Sequence, residues 1–361
     1  MSTLHAVVMA GGSGTRFWPM SRQNQPKHLL PLAGTRTLIQ QTVARTAPLV
    51  APDRIWVITN ADHAAEVHRQ VPELPLESIV AEPCPRDTAP CIGLAATIVL
   101  GRDPNAVMVV MPADHLIEPD TDFRRTVEAA VGLVREDPRR LVTLGIKPDR
   151  PATGYGYIQR GPRLPGREAP PVFSVTSFRE KPAQELAAQY VESGEFYWNS
   201  GIFVWSARTI REELRASRPR LAEALERIRA TWWSPAREVV FRREYQAIER
   251  ISIDYAVMER AGNVLVIEAG FRWDDVGSWG AIRRLHDQTA DGNTLVGAHC
   301  GLDTRTSIVI TDSGHLVATL GVDNLIIVQS GNAALIADRR EEERVKQLVE
   351  RIREQGLADY L

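Results

Sequence analysis

The sequence has no long hydrophobic run and almost no net charge. Its 361 residues include 43 Lys and Arg against 45 Asp and Glu, which gives a net charge of −2. This balance offers neither a basic field for nucleic acid nor a polybasic membrane anchor. The longest apolar runs, such as residues 106–113, are far too short to cross a bilayer. We therefore expect a chain that binds neither nucleic acid nor a membrane.

Cysteine is also scarce. Cys84, Cys91 and Cys300 are odd in number and lack metal-ligand spacing, which is typical of reduced thiols in a cytoplasmic protein. No charged and then apolar leader precedes the first apolar segment, so we expect no signal peptide. The 44% hydrophobic and 24% charged residues are those of a globular protein. A length of 361 residues favours two domains, or one large domain with an appendage.

Apolar runs alternate with helical patterns through the first half of the chain. The runs 55–59, 106–111 and 141–146 are mainly apolar and do not alternate in polarity, as expected of parallel strands that are covered on both faces. Between the last two runs, apolar residues recur at helical spacing after an N-cap at Asp120 or Thr121. This order predicts a doubly wound α/β sheet, in which ligands bind beyond the carboxyl ends of the strands.

Beyond residue 291 short apolar pieces alternate with turn residues, and no helix-length pattern occurs before Arg339. We expect a small β domain, either sandwich-like or a β-helix, followed by an amphipathic helix that is a candidate homodimer contact. The predicted boundaries are 1–285 for a catalytic domain and 286–361 for the β domain. The proline-rich segment 162–171 is predicted to be an exposed loop.

A glycine-rich loop follows the first predicted strand, residues 4–9, in the sequence AGGSGTRFWPMSRQNQPKHLLPL. Glycines at positions 11, 12 and 14 let the backbone turn tightly near a ligand, and Arg16 and Lys27 add two cations. Backbone N–H groups beside fixed positive charge suit a polyphosphate. The loop fits neither the Walker pattern nor the dinucleotide fingerprint. An ordinary strand-to-helix turn is the alternative.

Carboxylates occur at two places where a metal could bind. Asp114 ends the apolar run at 106–113, and Asp274 and Asp275 lie in the aromatic stretch FRWDDVGSWGA. Mg²⁺ takes one or two protein carboxylates and completes its octahedron with phosphate oxygens and water. Asp114 and one member of the later pair are therefore candidate Mg²⁺ ligands. Solvated turns are the alternative for both.

Three clusters are typical of a sugar-binding surface: TGYGYI, FREKP and WNSGIFVW. The first offers close backbone approach beside tyrosine rings, and in the second Glu180 can accept from hydroxyls beside the Lys181 cation. In the third, the Asn199 amide can both donate and accept. A β-turn, a surface ion pair and a strand entry are the respective alternatives.

These motifs, in this order and with EPCPRDTAP, MPADH, SIDYAVME and WDDVGSW, resemble the bacterial mannose-1-phosphate guanylyltransferases (GDP-mannose pyrophosphorylases). The resemblance covers nearly the whole chain. It implies a Rossmann-like doubly wound mixed sheet of the nucleotide-diphospho-sugar transferase type, with a small C-terminal β domain that is left-handed β-helix-like. It also implies direct in-line attack of mannose 1-phosphate on the α-phosphate of GTP, with Mg²⁺ as cofactor.

The resemblance assigns roles to matching residues. Catalytic roles fall to Arg16, Lys27 and Lys181, and metal binding to Asp114 and Asp275. Asp254 is placed at the margin of the site. The nucleotide-binding residues would be Ala10, Gly11, Gly12, Gly14, Thr15, Arg16, Glu82, Arg86, Thr88, Ala89 and Asp114. The sugar-phosphate-binding residues would be Tyr155, Gly156, Glu180, Lys181 and Asn199.

Two residues depart from the pattern. Relatives usually have Asn at the position of Asp87, which puts an anion near the base pocket, and commonly Gln at that of His28. Nothing here resembles the cupin-like isomerase domain of bifunctional relatives, so we expect no isomerase activity. The alternatives are a transferase of the same fold for another sugar 1-phosphate or base, and a non-catalytic subunit that senses GDP-mannose.

Overall fold

A computed structural model describes residues 3–12 and 14–361 of the chain. The chain forms two compact units, which are described separately below. The first unit contains the residues up to Gly11, 43–113 and 117–273. The second unit contains 12–42, 114–116 and 274–361. Each unit is therefore assembled from segments that are distant in the sequence.

The first unit is built on a nine-stranded mixed sheet. The first four strands in spatial order run parallel to one another. The long strand Phe196–Ser206 runs antiparallel to its three partners, Val107–Pro112, Leu141–Ile146 and Gly156–Glu168. The spatial order is Ile79–Glu82, Ile55–Asn60, Leu4–Ala10, Val107–Pro112, Phe196–Ser206, Leu141–Ile146, Val264–Glu268, Pro171–Glu180 and Gly156–Glu168. The predicted doubly wound mixed sheet is thus confirmed.

Helices alternate with the strands of this sheet, as the sequence pattern predicts. The α-helices are Leu38–Thr46, Ala64–Gln70, Thr88–Arg102, Asp120–Glu136, Gln184–Ser193, Ala207–Ser217, Pro219–Thr231 and Arg237–Ala247. The shorter elements are the 3₁₀ turns Pro52–Arg54, Ala61–His63 and Leu76–Ser78, the π-helical turn Asp254–Met258 and the strands Leu116–Glu118 and Arg272–Asp274. None of the helices in the described part of the chain is long and apolar enough to cross a membrane.

The three predicted strands of the first half are confirmed within one residue at each end. The predicted N-cap of the helix between the last two is wrong. The helix begins at Asp120, its N-cap is Pro119, and no side chain caps it. The Asp120 carboxylate instead lies 2.9 Å from the guanidinium of Arg45, whose side chain is 2% exposed. A buried guanidinium without a partner would cost more free energy than a helix start without a side-chain cap. The Asp120 carboxylate therefore pairs with Arg45.

The prediction of a loop at residues 162–171 is also wrong. Gly156–Glu168 and Pro171–Glu180 are antiparallel partners, and the pairing shifts register three times between Gln159 and Glu168. Proline lacks a backbone donor and is tolerated in edge strands and at bulges. The strand Gly156–Glu168 also pairs with Phe196–Ser206, but only over residues 157–159, so the prolines at 162–171 do not interrupt that ladder.

The second unit carries the predicted small β domain. Its strands are Thr294–Val296, Ala298–Leu302, Ile308–Thr311, Leu316–Leu320, Leu325–Ser330 and Ala333–Asp338. Its helical elements are Thr15–Phe17, Lys27–Leu29, Trp279–Leu285, Arg339–Arg344, Val345–Glu354 and Ala358–Tyr360. The predicted terminal helix is confirmed over Val345–Glu354.

The first five strands of this domain pair in parallel, and the last, Ala333–Asp338, pairs antiparallel with Leu325–Ser330. Leu295 pairs with Val309, and Val309 in turn pairs with Ile327, while Ala298–Leu302 pairs in parallel with Leu316–Leu320. Short parallel strands that recur at each coil are the arrangement of a β-helix and not of a sandwich of antiparallel strands. Of the two predicted alternatives, the β-helix is therefore confirmed.

The core of the second unit joins the β-helix to the segment after the glycine loop. Phe17 and Trp18 pack in one apolar cluster with Trp279, Ile326 and Val349. The rings of Phe17 and Trp279 meet edge to face, with centroids 4.9 Å apart. The loop is thus anchored by the same core that supports the C-terminal strands. The domain boundary at 285 stays a prediction.

Gly145, in the strand Leu141–Ile146 of the first unit, allows side chains of the two neighbouring strands to pack closely against its backbone. A Cβ at Gly145 would lie 2.6 Å from Cγ2 of Val266 and 2.8 Å from Cβ of Tyr197. We predict that Gly145→Ala lowers the free energy of unfolding by about 1–3 kcal/mol, because these neighbours must shift.

Gly132 provides the matched control, because it lies within the helix Asp120–Glu136 and a Cβ there would meet nothing within 4 Å. Gly132→Ala should stabilise the protein by about 0.5–1 kcal/mol through helix propensity. Urea unfolding of both variants measures the difference. Equal effects of the two substitutions would contradict the close packing at Gly145.

Candidate active site

The glycine loop follows the strand Leu4–Ala10, and the backbone carbonyls of Ala10 and Gly11 at its start both accept hydrogen bonds from side chains. In the first unit, Thr59 Oγ1 donates to the carbonyl of Ala10 at 2.9 Å, and Asn60 Nδ2 donates to that of Gly11 at 3.2 Å. These bonds fix where the loop begins. Ser13, in the middle of the loop, lies outside the described residues.

In the second unit, Gly14 adopts a left-handed conformation with φ of 60° and leads into the turn Thr15–Phe17. A Cβ at Gly14 would overlap the Cβ of Lys27 and lie 2.7 Å from the Lys27 backbone nitrogen. Glycine is therefore required here both for its backbone angles and for the approach of Lys27. Gly12 has no such neighbour, since a Cβ there would meet nothing within 4 Å.

Lys27 is the central charge of the second unit. Its side chain is 8% exposed, and its Nζ lies 2.6 Å from Oδ2 of Asp114. The same Nζ donates to the backbone carbonyl of Asp275 at 2.7 Å. An ammonium group has three donors, so these two bonds leave one for a ligand. Lys27 thus ties together the two segments in which the sequence predicts metal ligands.

These groups border a cavity of about 380 Å³ that lies wholly within the second unit. The lining residues are Gly14, Thr15, Arg16, Phe17, Lys27, Asp114, His115, Asp275, Gly277 and Lys346. The structure therefore brings together the predicted residues Gly14, Thr15, Arg16, Lys27, Asp114 and Asp275. His115 and Lys346 were not predicted. His115 directly follows the aspartate of MPADH, but no local signal marks Lys346 in the terminal helix.

The charge state of Asp114 follows from its neighbours. Burial alone would raise the pKa of its carboxyl group, but the charges of Lys27 and His115 and the hydrogen bond from Lys27 lower that pKa to about 2. Burial lowers the pKa of His115, the Asp114 charge opposes this effect, and the Lys27 charge adds to it. At neutral pH Asp114 is therefore an anion.

The adjacent aspartates 274 and 275 have different surroundings. Asp274 is buried, and its carboxylate binds the guanidinium of Arg284 through two bonds of 2.5 and 3.1 Å. It also accepts from the backbone N–H of Val276 at 2.8 Å. Val276 has a φ of 46°, which is rare for a β-branched residue. Asp274 thus holds the backbone turn, whereas Asp275 borders the cavity.

Across residues 3–12 and 14–361, no three His, Cys, Asp or Glu side chains cluster so that they could hold a metal ion by themselves. The hard oxygens of Asp114 and Asp275 nevertheless fit Mg²⁺, which binds proteins through one or two carboxylates and fills its other positions with phosphate oxygens and water. A carboxylate that stays ionised, as Asp114 does, suits this role.

Arg16 and the C-terminal segment meet at the edge of this cavity. The Nε atom of Arg16 lies 2.9 Å from the Glu343 carboxylate, and its Nη1 donates to the carbonyl of Gly277 at 3.5 Å. Both partners of the ion pair are exposed, with side-chain exposures of 48% and 68%. Such a pair contributes little to stability, so a phosphate can take the place of Glu343 at low cost.

Glu82, Arg86, Thr88 and Ala89 are predicted to bind the nucleotide near its base and are here called the base-side residues. They lie in the first unit, from the end of the strand Ile79–Glu82 to the start of the helix Thr88–Arg102. Glu82 is buried, accepts a hydrogen bond from the Tyr245 hydroxyl, and has Oε2 3.7 Å from the position of a Cβ on Gly11. Burial raises the pKa of Glu82 to about 7, against a smaller opposing effect of the Tyr245 hydrogen bond. The guanidinium of Arg86 donates to the backbone carbonyls of Tyr245 and Gln246.

Asp87, which departs from the expected family pattern, caps the helix Thr88–Arg102 by accepting from the Thr88 N–H at 2.7 Å. Its φ of 72° lies in the left-handed range, which Asp and Asn tolerate better than other residues with a side chain. Asn could serve equally as this cap. The hydroxyl of Thr88 accepts from the Ile253 N–H at 2.8 Å, and the N–H of Ala89 donates to the carbonyl of Ile251 at 3.1 Å.

The predicted sugar-side residues also lie together in the first unit. The carboxylate of Glu180 occupies the space that a Cβ on Gly156 would take, and it lies 3.2 Å from the ammonium of Lys181. The carbonyl of Tyr155 accepts from the Lys181 N–H at 3.2 Å. Asn199 Nδ2 donates to Oδ1 of Asp254 at 2.7 Å.

Aromatic rings surround this group. The ring of Tyr155 meets those of Trp198 and Trp273 edge to face, with centroids 5.0 and 5.3 Å apart. The guanidinium of Arg150 lies 4.8 Å above the Trp198 ring and donates to the Tyr155 hydroxyl at 3.2 Å. Arg150 and Trp273 were not predicted from the sequence, because neither stands in the motif that contains Tyr155.

Comparison with known proteins agrees with this arrangement. The family described as Nucleotidyl transferase matches residues 5–292, and the MannoseP isomerase/GMP-like beta-helix domain matches residues 297–352. The mannose-1-phosphate guanylyltransferase of Escherichia coli (strain K12) is 41% identical over 365 residues, which cover 99% of this chain and 75% of that protein.

The mannose-1-phosphate guanylyltransferase of Sinorhizobium fredii (strain NBRC 101917 / NGR234) is 38% identical over 96% of this chain and 67% of its own length. A crystal structure described as mannose-1-phosphate geranyltransferase from Thermus thermophilus superposes with a TM-score of 0.87 at 36% identity, covering 97% of this chain and 99% of that one. The chain therefore belongs to the nucleotidyl transferase family and, within it, to the mannose-1-phosphate guanylyltransferases.

Proposed function

We propose that the chain transfers GMP from GTP to α-D-mannose 1-phosphate, giving GDP-mannose and pyrophosphate. The observation that carries the proposal is the cavity in which Gly14, Arg16 and the buried ammonium of Lys27 adjoin two aspartates. Such a site suits a triphosphate, because it offers fixed cations and two carboxylates that would hold a divalent metal. The names of the relatives support GTP and mannose 1-phosphate as the substrates.

The nucleophile in this reaction is the phosphate of the sugar, which is already an anion at neutral pH. It needs no general base, so catalysis depends on bringing two polyanions together. Two like charges about 4 Å apart repel by roughly 4 kcal/mol at an effective dielectric constant near 20. The remaining donor of Lys27 lowers this cost at the α-phosphate, and Arg16 does so after exchanging Glu343 for phosphate.

Nucleotidyltransferases of this kind generally use a divalent metal. We propose that the metal is Mg²⁺, held by Asp114 and Asp275. When bound, it would neutralise phosphate charge. Lys27 prepares these ligands, because its charge keeps Asp114 ionised and its Nζ fixes the backbone of Asp275.

The sugar-side group in the first unit would bind mannose 1-phosphate. Glu180 and Asn199 offer acceptors and a donor for hydroxyls, and Lys181 offers a cation for the phosphate. Tyr155 and Gly156 border the same group. Glu82 would accept from the donor edge of guanine, near Gly11. The roles of Ala10, Gly12, Thr15, Arg86, Thr88 and Ala89 in nucleotide binding stay predictions.

We propose that the reaction takes place in the cytoplasm, where thiols stay reduced, since Cys84, Cys91 and Cys300 are free thiols. The homodimer suggested by the C-terminal helix stays a prediction.

The proposed function is tested by pyrophosphate release across a panel of nucleoside triphosphates and sugar 1-phosphates, with and without EDTA. The combination of GTP, mannose 1-phosphate and Mg²⁺ should give the highest kcat/KM. A higher value with another base or sugar would overturn the substrate assignment. Binding of GDP-mannose without any turnover would favour the sensing subunit instead.

We predict that Lys27→Met lowers kcat about a hundredfold or more, as expected when one preorganised charge is removed from a transition state. Methionine keeps the aliphatic stem that packs against Gly14. Steady-state kinetics at saturating substrates measures the effect. Lys147→Met, at an exposed position in the first unit, is the control and should retain activity. A Lys27 variant with kcat near that of the wild type would remove Lys27 from the mechanism.

The adjacent aspartates should respond differently to substitution by asparagine. We predict that Asp275→Asn abolishes metal-dependent turnover and leaves the midpoint of thermal unfolding close to that of the wild type. Asp274→Asn should instead lower the free energy of unfolding by about 1–3 kcal/mol, because it weakens the bonds to Arg284 and Val276. Activity against Mg²⁺ concentration, together with thermal unfolding, separates the two effects. The reverse pattern would show that Asp274 is the ligand.

Glu82 should set the preference for guanine. With a pKa of about 7, Glu82 is ionised above neutral pH, and its carboxylate then accepts from both N–H donors on the guanine edge, whereas glutamine offers only one acceptor oxygen there. We predict that Glu82→Gln lowers kcat/KM for GTP about ten- to a hundredfold and reduces the preference for GTP over ATP. Glu73→Gln, at an exposed position, is the control. An unchanged ratio of kcat/KM values for GTP and ATP would exclude Glu82 from base recognition.

A further inference from the structure

The segment Ile251–Asp254 is hydrogen-bonded to the base-side residues of the first unit. The N–H of Ile251 donates to the carbonyl of Arg86 at 3.4 Å, and the carbonyl of Ile251 accepts from Ala89 at 3.1 Å. The N–H of Ile253 donates to Thr88 Oγ1 at 2.8 Å. Three bonds thus tie this short segment to the start of the helix Thr88–Arg102.

At its other end, the same segment contacts the sugar-side group. Asp254 Oδ1 accepts from Asn199 Nδ2 at 2.7 Å, while Asn199 Oδ1 accepts from the N–H of Gly201 at 3.1 Å. One bond fixes the nitrogen of the amide and the other fixes its oxygen, so the amide cannot rotate without breaking both. Asn199 keeps one further N–H and one further lone pair, which is what two neighbouring hydroxyls require.

The electrostatic surroundings of Asp254 are unfavourable for a carboxylate that serves stability alone. Burial raises its pKa to about 6, the charges of Glu180 and Asp87 add to this effect, and the hydrogen bond from Asn199 opposes it. Two other acidic side chains therefore act on the Asp254 carboxyl group. Buried carboxylates that lie near other negative charges are found mainly at functional sites, because their burial costs free energy.

We propose that Asp254 is a positioning residue, which orients the Asn199 amide toward the sugar hydroxyls. The segment 251–254, which is bonded to residues 86–89, fixes Asp254 and, through it, the position of Asn199. This inference rests on the proposed function, because it assumes that Asn199 binds the sugar of the sugar 1-phosphate. Asp254 would act on the sugar through Asn199 without touching the reacting phosphates.

The test compares Asp254→Ala with Asp254→Asn in steady-state kinetics. The alanine variant should raise KM for mannose 1-phosphate roughly tenfold or more, as expected when a fixing hydrogen bond is lost, while kcat and KM for GTP change less than about threefold. The asparagine variant keeps an acceptor oxygen for Asn199 Nδ2, so it should restore KM for mannose 1-phosphate to within about threefold of the wild-type value.

A double-mutant cycle then tests whether Asp254 acts through Asn199. In the Asn199→Ala background, Asp254→Ala should cause no further rise in KM for mannose 1-phosphate, whereas independent contributions would multiply. Independent contributions, an equal rise in KM for GTP, or failure of asparagine to restore KM would each overturn the inference. If Asp254→Ala does not fold, Asp254→Ser replaces it, since a serine hydroxyl is too short to reach Asn199.

Wild-type turnover is measured first, with GTP and mannose 1-phosphate. Absence of GDP-mannose formation by the wild type would refute the proposed function itself. Normal wild-type turnover with unchanged kinetics in Asp254→Ala would refute only the role of Asp254.

Discussion

The buried charge of Lys27 is the interaction on which the second unit's cavity depends. Its Nζ bonds to the Asp114 carboxylate and to the Asp275 carbonyl, so one side chain joins segments that lie far apart in the sequence. The position of Lys27 in turn requires glycine at residue 14, where any side chain would overlap it. The same charge keeps Asp114 ionised against the effect of burial. Loop geometry, charge balance and metal-ligand chemistry therefore have one common origin.

The β-helix is part of the support for this cavity. Phe17 and Trp18 share a core with the C-terminal strands and helix, and Trp18 Nε1 donates to the Tyr360 carbonyl at 2.7 Å. Glu343 pairs with Arg16 at the edge of the cavity, and Lys346 lines it. A change in the C-terminal segment is thus expected to affect the phosphate loop directly, in addition to any effect on stability.

Much of this arrangement could be predicted from local sequence. The mainly apolar runs, which do not alternate in polarity, identify the buried strands because parallel strands are covered on both faces. Lys27, Asp114 and the pair Asp274 and Asp275 stand in short motifs of readable chemistry, and the choice of Asp275 within the pair rests on the family resemblance. Other features depend on tertiary contacts. The pairing of Asn199 with Asp254 spans 55 residues, and that of Arg16 with Glu343 spans most of the chain, so no pattern of spacing reveals them. The role of Asp274 became evident only from its bonds to Arg284 and Val276. The prolines at 162–171 predict a loop, but the structure has an antiparallel pair of strands there, because proline also occurs in edge strands.

The most direct test of the central claim is the distance from Lys27 Nζ to the α-phosphate in a crystal structure with GDP-mannose and Mg²⁺ bound. We predict a distance of about 2.7–3.2 Å between Lys27 Nζ and an α-phosphate oxygen, with Asp114 and Asp275 both bound to the metal. A phosphate bound away from Lys27, with the ammonium still paired only with Asp114 and the Asp275 carbonyl, would contradict it.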